Sequence, residues 1–487
     1  MSTPRLFTTI LFIALFAMTL REISDPDFWW HLRAGQYIVE NATIPHRDPF
    51  AFTTQGKEWI THEWLSEVFI FGVHRVGGLA LLSILFSGII TLAFGLTYAR
   101  SEGKPYLAGF ALLLGALATA PTWDVRPQML SLLLMSVFLF LLDRYGSTHN
   151  AKLLIPIPPL MLLWVNLHSG YALGLVVIGA YWFGALVEGI AYPWKQKTAA
   201  DITREPSPPS LTRRMTRNLF IVLVLSALAV LVNPNGARMF LYPFETLTSP
   251  AMQRYIQEWF SPDFHQTEWL PFALLIVALV FTTLLARARV PLAHVLLVCL
   301  FALAGLRSVR NIPLFAVIAI PILSAQLAAW IPLRASKRPT PRSMRIINTM
   351  IVAFIALAAL VRVGGVLANQ ANVERAKYPA AAVEWIQKNR PAPNLYNSYG
   401  WGGYLIWKLY PDYLVYIDGR ADVHGDVFIE DFLNIYRASP GWEDKLTEKN
   451  VRLVLIEPDA PLAKALAADS SWVQVFSDSQ SVIYQKK

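Results

Sequence analysis

Apolar stretches long enough to cross a bilayer recur along this chain, and the polar residues gather between them. Spanning the hydrocarbon core takes about 20 mainly apolar residues. Runs of that kind lie at 6–20, 78–98, 105–121, 127–142, 153–166, 170–191, 218–232, 270–285, 290–305, 312–331 and 346–366, which predicts about eleven transmembrane helices. The first run ends in Ala17-Met18-Thr19-Leu20-Arg21-Glu22, which offers no small-x-small cleavage site, so it is expected to stay as an anchor. From about 372 hydropathy falls and the pattern alternates: helices at 379–390 and 428–437, strands at 395–397, 414–417 and 451–456, and a hairpin at 473–484 turning over Ser477-Asp478-Ser479-Gln480. The expected fold is a polytopic α-helical membrane protein. Residues 1–371 form the transmembrane part, with a long first outer loop at 22–77, and 372–487 form an extracytoplasmic α/β domain.

Charge sets the orientation. Loops rich in Lys and Arg stay in the cytoplasm. With the N-terminus inside, the inner loops 1–5, 99–104, 143–152, 192–217, 286–290 and 332–345 hold 18 Lys and Arg in 66 residues, about threefold the density of the other loops. An odd helix count then puts the C-terminal domain outside. The longest inner loop contains Pro206-Ser207-Pro208-Pro209 and Arg213-Arg214, the composition of a flexible connector. Composition agrees, with 55% hydrophobic and only 15% charged residues against roughly a quarter charged in soluble domains. The net charge of +9 belongs to topology, and no nucleic-acid partner is expected. Cys299 is the only cysteine, so no disulfide within the chain and no thiol nucleophile is expected.

The outer loops carry the candidate chemistry. The loop after the first span opens Ser24-Asp25-Pro26-Asp27-Phe28-Trp29-Trp30-His31-Leu32, where Pro26 suits a first helical turn and Asp27 and His31, at i and i+4, share a face. A second amphipathic stretch, Thr61-His62-Glu63-Trp64-Leu65-Ser66-Glu67, closes the loop, so two interfacial helices are expected to bracket 42–60. Shorter outer loops contribute Asp124 and Arg126, and His168 in Asn166-Leu167-His168-Ser169-Gly170. Arg307 and Arg310 lie outside against the topological bias, and an anionic ligand would account for them. Each has a plainer reading: Asp25 and Asp27 as helix caps, Glu63 and Glu67 as a solvated face, Asp124 and Arg126 as a mutual pair, and the late arginines as lipid contacts. What favours function is that acids, histidines and arginines from several loops fall at one membrane face.

With these residues in view, the chain resembles the GT-C superfamily of membrane glycosyltransferases, which use polyprenyl-phosphate-linked sugars. Protein O-mannosyltransferases, the lipid A aminoarabinose transferase and the oligosaccharyltransferase catalytic subunit belong to it. The resemblance rests on a first helix followed by a long outer loop opening with Asp25-Pro26-Asp27, two juxtamembrane helices in that loop, and an outer C-terminal domain. Asp-Pro-Asp-Phe-Trp-Trp-His-Leu at 25–32, Pro45-His46-Arg47-Asp48-Pro49-Phe50, His62-Glu63-Trp64-Leu65, Trp401-Gly402-Gly403-Tyr404-Leu405 and Ile417-Asp418-Gly419-Arg420 look like a group of bacterial relatives. The Trp-Trp-Asp-Tyr-Gly signature of oligosaccharyltransferases is missing, which argues against transfer to asparagine sequons.

The resemblance implies an acidic base in the first outer loop, Asp27 or else Asp25, and a polyprenyl-phosphate sugar donor among membrane lipids. It leaves the acceptor open. A carboxylate must take the proton of an acceptor hydroxyl as it attacks the anomeric carbon. The phosphate leaving group needs positive charge, from Arg126, Arg307, Arg310 or a divalent cation such as Mg or Mn on the carboxylates. His31, His62, Glu63, Asp124 and His168 complete the expected substrate-binding set. Asp418, Arg420 and Asp422 lie at the end of a predicted strand, a favourable place for ligand contacts in α/β folds, but a structural Asp-Arg pair is the first reading. The alternatives are a lipid-linked glycan polymerase or ligase, a lipid-linked glycan transporter or flippase, and a non-catalytic assembly subunit. Transporters place ionisable residues near the bilayer midplane, where this chain has almost none, so the enzyme is favoured.

Overall fold

The structure, a computed structural model, describes residues 1–195, 209–286, 288–331 and 341–487. Helix α1 (Thr3–Thr19) is followed by α2 (Asp27–Asn41), α3 (Trp64–Arg100), α4 (Tyr106–Thr119), α5 (Pro127–Thr148), α6 (Ile157–Leu167), α7 (Tyr171–Lys195) and α8 (Pro209–Val230). Two short helices, α9 (Tyr242–Thr248) and α10 (Pro250–Tyr255), lead to α11 (Leu270–Ala286), α12 (Leu292–Arg307), α13 (Ile312–Trp330) and α14 (Arg342–Lys377). Every predicted apolar run falls on one of these helices. Six described helices are long and apolar enough to cross a membrane, and four more are apolar but shorter. Of the connector expected at 192–217, residues 196–208 lie outside the described residues, whereas 192–195 continue α7 and Pro209, Arg213 and Arg214 belong to α8 rather than to a flexible segment.

Burial separates the helices by role. The span containing α13 is 83% buried and forms the centre of the bundle, whereas that of α14 is 6% buried and packs along α1. Exposed apolar side chains such as Leu274, Val277 and Phe281 on α11, and Phe354, Leu357 and Leu360 on α14, are what a lipid-facing surface presents. This is a multi-pass membrane protein.

The first long loop is built as predicted at its start and differently at its end. Asp25 Oδ1 accepts the Asp27 backbone N–H at 2.8 Å and starts α2, which ends at Ala42 in the left-handed region. The closing amphipathic stretch is not a separate helix. It opens α3 at Trp64 and continues into the next apolar run through a break at Gly77–Gly78, where Gly78 has φ 63°. Gly35 lets α2 and α3 touch: a Cβ there would meet Glu67 O at 2.0 Å.

Beyond α14 come α15 (Ala380–Asn389), β1 (Leu395–Asn397), α16 (Gly402–Leu409), α17 (Ala421–His424), α18 (Asp426–Tyr436), α19 (Trp442–Glu448), β2 (Leu453–Ile456), α20 (Pro461–Ala468), β3 (Trp472–Ser477) and β4 (Val482–Lys486). The sheet has the order β1-β2-β4-β3, parallel between β1 and β2 and antiparallel elsewhere. The strand predicted at 414–417 is not formed. Val415 makes only isolated bridges, to Ala51 and Leu395, and the Asn397 side chain takes the Tyr416 N–H at 2.9 Å. That segment is spent on docking the first loop rather than on widening the sheet. Helix α14 runs unbroken to Lys377, and α16 packs on α2, with Trp29, Tyr378 and Tyr404 in edge and stacked contact. The C-terminal domain therefore sits directly on the loop that carries Asp25 and Asp27.

Candidate active site

Asp27 is held in the first turn of α2 by two donors. Arg126 Nη2 lies 2.7 Å from its Oδ2, and Trp30 Nε1 donates to its Oδ1 at 3.2 Å. Arg126 caps α5 and gathers three acids, with Asp25 Oδ2 at 3.2 Å and Glu258 Oε2 at 2.7 Å from its Nη1. Glu258 comes from a short 3-10 turn, Gln257–Trp259, tied down where Ser308 Oγ donates to Glu258 O at 2.7 Å and Val309 N to Phe260 O at 3.0 Å. Its other oxygen faces Arg310 Nη1 at 3.3 Å, and the Arg310 guanidinium lies 4.6 Å from the Trp259 ring centroid. Asp124 turns away from this pairing and takes the Val125 N–H at 2.7 Å, beside Arg21 and Trp123 in a narrow cleft.

Electrostatics follow from that packing. Burial pushes the Asp27 carboxyl up to about 7 against the lowering pull of Arg126, with Asp25 and Glu258 adding to the rise. Burial and then Asp25 raise Asp124 to about 7 as well. Glu258 is half-buried, and although burial pushes its carboxyl up, Arg126 and Arg310 bring it below the ordinary value. One acid thus stays charged between two arginines while Asp27 is poised near neutrality.

A second cluster lies beside the first, centred on Glu63. Its Oε1 is 3.0 Å from His62 Nε2 and 3.3 Å from His168 Nε2, and its Oε2 is 3.5 Å from His31 Nδ1. His168 Nδ1 accepts the Gly170 N–H at 2.9 Å, so the hydrogen-bond network assigns its proton to Nε2, aimed at Glu63. Ser131 Oγ, taking Trp164 Nε1 at 2.7 Å, fixes the same ring from 2.8 Å. Burial opposes every charge here, but His62 and His168 hold the Glu63 carboxyl well below the usual range, and Glu63 in turn raises His62 above its ordinary value. Burial lowers His31 to about 3 and His168 to about 4, so both stay neutral. Trp30 links the clusters: its indole donates to Asp27, and its ring lies over His31 with centroids 3.6 Å apart.

Asp25, Asp27 and Arg126 therefore meet, as do His31, His62, Glu63 and His168. Asp124 and Arg126 do not pair with each other through their side chains. Arg307 stands apart, exposed, with its Nη2 3.2 Å from Gln253 Oε1. Glu63 and Glu67 do not form a solvated face, since they are 8% and 1% exposed. Sequence reasoning missed Glu258, in the segment between α8 and α11, and Tyr242, whose hydroxyl donates at 3.1 Å to Asp422, a residue the sequence did single out, and closes the His62 side. Among the described residues no group of three or more His, Cys, Asp and Glu is placed to hold a metal ion. Asp25, Asp27 and Glu258 converge on the Arg126 guanidinium instead, so the residues as arranged do not fit a divalent cation.

No family profile and no curated protein sequence matches the chain. Solved structures do. The oligosaccharyltransferase AglB of Archaeoglobus fulgidus, in complex with an inhibitory peptide and a dolichol-phosphate, superposes with a TM-score of 0.56 at 13% identity, over 99% of this chain and 74% of that one. ArnT of Cupriavidus metallidurans bound to undecaprenyl phosphate gives 0.51 at 14% identity, over 99% and 97%. The fold is the GT-C fold. Another structure of the Archaeoglobus enzyme, a complex with Zn and sulfate, gives 0.50 at 12% identity over 98% of this chain and 73% of that one. Within the GT-C fold, the residues described above come from the first long loop, the segment between α8 and α11, shorter loops at the same end of the bundle, and, for Asp422, the C-terminal domain.

Proposed function

We propose that this protein is a glycosyltransferase that moves a sugar from a polyprenyl-phosphate donor to an acceptor hydroxyl, at the outer face of a bacterial inner membrane. The observation that carries the reading is the Asp27 carboxyl, raised to about 7 and gripped by Arg126, at the head of the loop after the first helix of a GT-C fold. Two proteins of that fold are solved with dolichol-phosphate or undecaprenyl phosphate, which supports a donor of that class.

Asp27 acts as the general base. It takes the proton of the acceptor hydroxyl as the oxygen forms its bond to the anomeric carbon, and a base with an acid constant near the working pH does this best. The bond from that carbon to the phosphate oxygen breaks, the electron pair leaves with the lipid phosphate, and the anomeric centre inverts. Arg310 and Arg307 meet the phosphate charge: Arg310 has one carboxylate partner and Arg307 a neutral glutamine, whereas Arg126 is already shared among three acids. The carboxylates have a guanidinium between them, and no step is routed through a metal. Glu63, His31, His62 and His168 form the wall on which the acceptor is oriented.

The test is Asp27→Asn, nearly isosteric but unable to accept a proton, assayed in membranes with native lipid donors. Transfer is expected to fall by on the order of 10²–10⁴ while donor binding persists. Full transfer in this variant would overturn the assignment.

A further inference from the structure

Four residues of the C-terminal domain, Ile417-Asp418-Gly419-Arg420, are locked against the first long loop. Arg420 donates to Asp418 through Nε at 2.8 Å and Nη2 at 2.7 Å, and its Nη1 reaches Asp48 Oδ1 at 2.8 Å. The guanidinium lies 4.6 Å from the Trp59 ring centroid, and all three charged side chains are buried. His424 Nε2 accepts the Asp418 N–H at 3.2 Å. The turn is therefore a fixed surface.

That surface presents Gly419 to Asp27. A Cβ at 419 would stand 1.7 Å from Asp27 Oδ1, 2.9 Å from its Cγ and 3.4 Å from Trp30 Nε1. The backbone does not require glycine there, since Gly419 is not among the residues of positive φ. What excludes a side chain is the Asp27 carboxylate itself. Gly403 repeats the relationship one residue back along the loop, where a Cβ would meet Pro26 O at 2.4 Å.

We propose that Gly419 is a positioning residue for the Asp27 reaction. Its bare Cα bears on the Oδ1 edge of the carboxylate and keeps Asp27 turned to Arg126 and Trp30. The catalytic centre is thus completed by the C-terminal domain. The inference rests on Asp27 being the base. Misplacing a reacting group by ~1 Å costs on the order of 10²-fold.

The experiment compares Gly419→Ala with Gly400→Ala in the purified full chain. Gly400 is in the same domain and has open space where a Cβ would go. Gly419→Ala is expected to lower kcat by about tenfold or more with little change in donor KM. It should also move the acid limb of the pH profile upward, because Arg126 and Trp30, the contacts disturbed, both lower the Asp27 carboxyl. Gly400→Ala should change neither. If Gly419→Ala folds poorly, Gly419→Ala combined with Asp27→Ala decides: recovery of the melting temperature towards that of Asp27→Ala alone shows that the carboxylate is what the methyl group meets, and no recovery overturns the proposal. Unchanged kcat and pH profile in Gly419→Ala, with Asp27→Asn inactive, would sink the positioning role and leave the base in place. Full activity in both would remove the base assignment as well.

Discussion

Arg126 Nη2 stands 2.7 Å from Asp27 Oδ2 and joins the start of α5 to the first turn of α2, although 99 residues separate the two in sequence. The contact makes the acid limb of the pH profile a measure of that pairing. Activity should fall as pH drops through about 7, where Asp27 takes up its proton. The positive charge lowers the Asp27 carboxyl, so Arg126→Gln should move the limb to higher pH. A limb that stays in place in this variant would separate the pair from catalysis. The Asp124 carboxyl, also raised to about 7, borders the site, so the midpoint read from rates belongs to the two acids together.

Glu258 predicts the opposite sign. It raises the Asp27 carboxyl and shares Arg126 and Arg310, so Glu258→Gln should move the acid limb to lower pH. The same change leaves two arginines with one fewer counter-charge, and donor binding should tighten. Weaker donor binding, measured with a polyprenyl phosphate on the purified variant, would mean that Glu258 holds Arg310 in its working position rather than competing with the phosphate.

The helices were legible because lipid admits only α-helices and closed barrels, and continuous runs of about 20 apolar residues mark the helix. Asp25, Asp27 and Arg126 were legible as charges standing where most neighbours are apolar. Glu258 was not, because nothing in the spacing of an irregular loop says that its 3-10 turn folds back beside Arg126. Val415 misled for a related reason: β-branched alternation marks a segment that pairs, and here the partners are single residues of the first loop as well as β1. Gly419 was visible only as part of Ile417-Asp418-Gly419-Arg420, and its role was not, since its meaning lies in the atom it faces.

Arg420 predicts stability rather than rate. Its charge sits between Asp418 and Asp48, with every partner buried, and Arg420 is the chief reason that the buried Asp418 carboxyl stays far below the usual range. Removing one partner of such a set leaves uncompensated buried charge and costs about 3–5 kcal/mol. Arg420→Ala should therefore lower the melting temperature in detergent and loosen the C-terminal domain from the first loop. Lysine should not rescue it, because its single ammonium cannot reproduce the planar fork that engages two carboxylates. A melting temperature equal to the parent's in Arg420→Ala would show that the network is structurally idle.

The packing of α1 against α14 predicts which side of the membrane the site faces. Met1 meets Arg345 O at 3.1 Å and the Asn348 side chain at 3.0 Å, while Arg362 Nε donates to Ala17 O at 2.6 Å and Gln370 brackets Ile23. Helices α1 and α14 therefore run in the same direction, with their first residues together and the C-terminal domain at the far end of both. Arg5, Arg342 and Arg345 collect at the shared start, and loops rich in such residues stay in the cytoplasm. Met1 should be inside and Lys487 outside. An alkaline phosphatase fused after Lys487 should be active, and a reporter that works only in the cytoplasm should be silent there. The reverse pattern would turn the molecule over, place Asp27 on the inner face, and require the lipid-linked donor to be used before it crosses the membrane.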